Sequence, residues 1–304
     1  MHDDDRRELE ELDLRLRVLL PETYQDSYES LELKPMGSAA LKHGPDGKVA
    51  WDQIWGSFCD LAMAGGPPHK GKLLQPGSGE AIDAAPELYE EVVDEICRGI
   101  TLASELPARG SPHAGWVSVD CYSETMASWL LRAIVMENVA ARSHARELLL
   151  PAAPHFRLDK EIKNVITVIA KTTHYWMGHM PRAQKSAIAD LFARMSSASP
   201  LIEPGDDHGP AHRLVQRSLG EVGSLADGGP AHRSLGGGGW RGVDCSSVKA
   251  AVWMMRAMVV NNVLSRREGT TLFVPDNPVT DPGGVIVART VMLVHRLAAI
   301  RGVA

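Results

Sequence analysis

The segment "WVSVDC" at residues 116–121 returns as "WRGVDC" at residues 240–245, and at this offset of 124 residues 115–154 align without a gap to 239–278, with 17 identities in 40 positions. The matches include Gly115/Gly239, Trp116/Trp240, Asp120/Asp244, Cys121/Cys245, Ser123/Ser247, Trp129/Trp253, Arg132/Arg256, Asn138/Asn262, Arg142/Arg266 and Pro151/Pro275. Whatever fold one copy takes, the other must be able to take. The period is too long for a solenoid repeat and suits a duplicated half-domain.

Within the repeated unit, "WVSVD" is a short β-prone run, "SETMASWLLRAIVMENV" carries apolar residues at helical spacing, and "ELLLP" is an apolar run stopped by proline. That order predicts a β-α-β unit. A helix follows in each copy ("DKEIKNVITVIAKTTHYW" and "GGVIVARTVMLVHRLAAI"), and upstream "KLLQP" with the helical "PELYEEVVDEICRGITLASEL" adds a β-α step to the first copy, as "PLIEP" with "HRLVQRSLGEV" does to the second. Each half therefore reads β-α-β-α-β-α. Such alternation favours parallel pairing with right-handed crossovers. The expected fold is α/β, two duplicated halves with mainly parallel sheets and pseudo-twofold symmetry, plus an N-terminal helical arm. The expected boundaries are 1–64 for the arm and first core helix, 65–180 for the first half, and 181–304 for the second, which carries a Gly/Pro/His-rich loop at 204–239.

The net charge of −6 and pI near 6.1 offer no general attraction to nucleic acid or anionic lipid. The opening "MHDDDRRELEELDLRLRVLL" is acidic where a secretory signal would be basic, and later apolar runs fall short of the roughly 18 uninterrupted residues of a spanning helix. The four cysteines, Cys59, Cys97, Cys121 and Cys245, form no CxxC pair and fit reduced thiols. A cytoplasmic location follows, with a small-molecule ligand and neither nucleic acid nor membrane as partner. A homo-oligomer is compatible with the pattern.

Ligands of open parallel sheets gather where strands lead into helix N-termini. Cys121 and Cys245 fall at such places, where a helix dipole lowers a thiol pKa, so they are the candidate catalytic pair, as acid and base or as nucleophile and partner. Ser123 and Ser247 are placed to cap the same helices and to contact substrate. Asp120 and Asp244 alternate with the cysteines along their strands and are expected to face away from them. Arg142 and Arg266 follow the helices, at the opposite edge, and read as structural or subunit-contact residues. In "GGPPHKGK" the phosphate-loop likeness fails, because Pro67 and Pro68 lack N–H and Leu73 replaces the metal-binding hydroxyl, yet His69, Lys70 and Lys72 could hold an anion. His69, His113 and His208 lie in Gly/Pro loops and are the candidate ligands of a divalent metal, without diagnostic zinc spacing. His174 and His179, five apart, sit about 140° around an α-helix and would share no metal there unless Gly178 ended the helix.

No serine-hydrolase elbow, dinucleotide fingerprint, kinase loop or zinc-protease helix occurs. In layout alone, two pseudo-symmetric α/β halves of this length resemble the two-thiol amino-acid racemases and the tetrapyrrole metal chelatases, without the identifying motifs of either. The sequence thus points first to an enzyme for a small polar or anionic metabolite bound between the halves, using Cys121 and Cys245. A metal-handling or chelatase-like protein using loop histidines and acids is the alternative, and a non-catalytic ligand-binding scaffold the third.

Overall fold

Helix α1 (Asp3–Leu19) begins with Asp3, Asp4 and Asp5 in its first turn and has Arg17 in its last, the charge order that a helix dipole favours. Leu12, Leu16 and Leu19 recur at helical spacing and are buried. A computed structural model describes residues 3–22, 41–53, 72–205, 232–233 and 239–303. The chain divides into two compact units, residues 31–181 and residues 182–304 with 1–30, so the N-terminal helix packs within the second.

In the first unit, Trp51 is fully buried in a 3₁₀ turn (Trp51–Gln53), and its Nε1 donates to Glu95 Oε1 at 2.7 Å. Helix α2 (Gly79–Ala84) is capped by Ser78, and α3 (Pro86–Ser104) starts with the proline that its first turn tolerates. Then come β1 (Ala108–Gly110), β2 (Trp116–Asp120), α4 (Glu124–Met136), β3 (Arg142–His144), β4 (Glu147–Pro151) and α5 (Lys163–His174). The sheet order is β1-β2-β4-β3, with every neighbour antiparallel.

The second unit adds α6 (Arg182–Ala198), β5 (His232–Arg233), β6 (Trp240–Asp244), α7 (Val248–Val259), β7 (Arg266–Glu268), β8 (Thr271–Pro275) and α8 (Val285–Arg301) to α1. Its sheet order β5-β6-β8-β7 repeats the first, and the register repeats as well: Trp116 faces Pro151 as Trp240 faces Pro275. Gly115 and Gly239 share a positive φ, 86° and 79°, and a Cβ at either would run into the carbonyl oxygen of Gly77 or Gly205. Asn138 and Asn262 end their helices at φ 60° and 61°.

The expected mainly parallel β-α-β-α-β-α halves are therefore corrected: both sheets are small and antiparallel. After α4 the chain forms a hairpin, β3 then β4, so the strand beside β2 runs back against it. The hairpin turn in the first copy is Ala145-Arg146, with no residue that announces a turn; the second copy has Gly269 there. "KLLQP" and "PLIEP" make no full strand. Among the described residues, parallel pairing is confined to the isolated bridges Leu74–Val139 and Ile202–Val263.

Charges are buried in the second unit. Arg241 donates from Nε and Nη2 to Asp276 Oδ2 at 3.0 and 2.9 Å, with both side chains under one-tenth exposed. The buried Arg266 guanidinium lies 3.9 Å from the Phe273 ring centroid and 5.2 Å from that of Trp240, and pairs with Glu268 at 2.6 Å. By length and composition Pro282–Arg301 is apolar enough to cross a membrane. In the structure its Val287, Val294 and Leu297 are buried, Arg296 pairs with Asp5 and Glu8, and Arg301 pairs with Asp13 at 2.6 Å.

Candidate functional site

Register places two carboxylates side by side at one end of the first sheet, since Asp120 on β2 faces Glu147 on β4. Like charges opposite each other on adjacent strands repel. Arg109, on β1, resolves this by donating from Nη1 to Asp120 Oδ2 at 2.6 Å and from Nη2 to Glu147 Oε1 at 2.9 Å. All three side chains remain solvent-accessible.

The β3–β4 hairpin completes the wall. Ala145 turns the chain at φ 50°, a left-handed conformation that costs an L-residue about 1–2 kcal/mol. Arg146 follows; its Nε donates to the Cys121 carbonyl at 3.1 Å, while the Cys121 N–H donates to the Arg146 carbonyl at 2.9 Å. Among the described residues nothing engages the terminal nitrogens of Arg146. Together Pro107, Arg109, Asp120, Tyr122, His144 and Arg146 border an open cleft of about 610 Å³, with Cys121 at its floor.

The thiols do not have the expected electrostatics. Cys121 lies two residues before the N-cap Ser123, whose Oγ takes the Met126 N–H at 3.1 Å, so the helix start is already satisfied. Burial, with a smaller contribution from the Asp120 charge, pushes the fully buried Cys121 up to about 12. Cys245 is raised to about 11, again chiefly by burial, and its Sγ approaches Met254 Sδ at 3.9 Å. The lowered thiol pKa expected from the helix dipole is thus reversed by desolvation. Cys97 is likewise raised to about 11, by burial and then by Asp94. Asp120 is about half exposed beside the buried Cys121, as strand alternation requires.

Ser247 caps α7 as Ser123 caps α4, accepting from Ala250 N at 3.0 Å. Lys72 is exposed, and His113 sits in an exposed turn where its N–H donates to Ser111 Oγ at 3.1 Å. His69, Lys70, His208 and Cys59 lie outside the described residues, as does most of the 204–239 loop. Among the described residues no three His, Cys, Asp or Glu side chains gather as metal ligands.

Arg109, Arg146 and Glu147 were absent from the sequence-derived candidates. The duplication itself carries the signal, because the two copies diverge at this hairpin. His144, Ala145, Arg146 and Glu147 are replaced in the second copy by Glu268, Gly269, Thr270 and Thr271, and Asp244 there accepts a hydrogen bond from Thr271 Oγ1 at 2.9 Å. No known protein family, curated protein or solved structure matches the chain.

Proposed function

We propose that the chain binds a small zwitterionic metabolite, such as a free α-amino acid, in the cleft of the first sheet. The observation that carries this reading is the juxtaposition of an Arg109-bridged carboxylate pair with Arg146, which is anchored through Nε and whose terminal nitrogens no described residue engages. A ligand carboxylate would take the paired N–H groups of Arg146, and a ligand ammonium would take the outer oxygens of Asp120 and Glu147. The cleft has the size of a small-molecule site. On this reading Cys121 is a protonated floor, since burial withholds the thiolate that nucleophilic chemistry needs.

Calorimetric titration with glycine, glutamate and lysine tests the assignment, using acetate and methylamine as single-charge controls. At least one of the amino acids is expected to bind, more tightly than either control, and Arg146→Ala and Asp120→Asn should each weaken it at least tenfold, about 1.4 kcal/mol. Absence of binding at millimolar concentration, or equal binding by both variants, would overturn it.

A further inference from the structure

The end of α5 holds a second group of chemistry-bearing side chains that the cleft does not use. The chain passes at His174 from α-helix into a π-helical turn, Tyr175–His179, in which the Met180 N–H donates to the Tyr175 carbonyl at 3.1 Å. An i→i+5 turn brings residues five apart onto one face, which an ordinary α-helix does not, and such turns are frequent at functional sites. His174 and His179 accordingly meet, with Nε2 to Nε2 at 3.0 Å and ring centroids at 4.8 Å. Both histidines are exposed, and beneath them the buried Tyr175 ring lies 6.2 Å from His174 and 5.4 Å from His179.

We propose that His174 and His179 form a surface site for a divalent transition-metal ion of tetragonal preference, copper(II) before nickel(II). Two imidazole nitrogens each bound at about 2.0–2.1 Å would stand about 2.9 Å apart on adjacent corners of a square and about 3.4 Å apart on a tetrahedron. The 3.0 Å separation, set here by a hydrogen bond, leaves both nitrogens within reach of one ion at adjacent positions, and copper(II), which favours tetragonal sites, leads the order of affinities for nitrogen ligands. Among the described residues no third His, Cys, Asp or Glu joins them.

In the metal-free protein the two nitrogens share one hydrogen bond, one donating and the other accepting. The metal displaces that proton and uses both lone pairs.

The test is copper(II) titration of the full chain, followed by electron paramagnetic resonance with one equivalent bound. Two nitrogen couplings and a tetragonal spectrum are expected. His174→Gln and His179→Gln should each lower copper affinity at least tenfold, with nickel(II) binding falling in parallel, whereas His155→Gln should leave both unchanged. A wild-type spectrum with one nitrogen or none, or affinity unaltered in both Gln variants, would overturn the site. The spectrum decides the matter even if a variant folds poorly. Binding of amino acids in the cleft is a separate readout, because the two sites share no residue.

Discussion

Burial sorts the ionisable side chains of this protein by what they can do. Arg241 and Asp276 are enclosed and pair with each other, so removing one of them breaks a buried ion pair and costs about 3–5 kcal/mol. Arg109, Asp120 and Glu147 are solvated, and each exposed pair there contributes at most about 1 kcal/mol to stability; their value lies in fixing charge in a cleft. The same rule governs the thiols. With folded pKa values of about 12 for Cys121 and about 11 for Cys245, the protonated form is favoured in the native state. That stability is fully present below the unfolded thiol value, about 8.5, and is lost as pH rises from there through the folded values. At pH 8 the native chain is expected to react with a disulfide reagent at Cys121 at least tenfold more slowly than the urea-unfolded chain, as read by peptide mass spectrometry. Equal rates would mean that the thiol is open to solvent.

At the scale of elements, the repeated helices were legible because their apolar spacing and their caps Ser123 and Ser247 are local features. Strand direction was not. Reading β2-α4-β4 as a parallel crossover skips β3, and the reversal at Ala145-Arg146 carries no glycine or asparagine to mark it. Gly269 marks the same turn in the second copy, at φ 59°. Asp120 could be singled out within its own strand, but its neighbours Arg109 and Glu147 follow only from antiparallel register. The meeting of His174 and His179 depends on a π turn for which the local sequence has no distinctive sign. The hairpin yields its own prediction. Ala145 at φ 50° is strained where glycine is not, so Ala145→Gly should stabilise the protein by about 1 kcal/mol, and Gly269→Ala should destabilise it by a similar amount. Chemical denaturation measures both; a destabilising Ala145→Gly would show that this turn is not strained.

For the molecule as a whole, duplication preserved the scaffold while the two copies took different uses for the same positions. Glycines at 115 and 239, asparagines at 138 and 262 and the strand registers are kept because backbone geometry requires them. The hairpin residues were free to diverge: the first copy keeps a solvated cleft of mixed charge, while in the second Arg266 is drawn into aromatic packing and paired with Glu268. On the proposed reading, ligand recognition belongs to the first copy alone. Amide NMR spectra of the full chain, recorded during titration with glycine, glutamate and lysine, check this residue by residue. Saturable shifts are expected at Arg109, Asp120 to Tyr122 and His144 to Glu147, with Glu268 to Thr271 unmoved; shifts of equal size in both hairpins, or none in the first, would rule out recognition by the first copy alone.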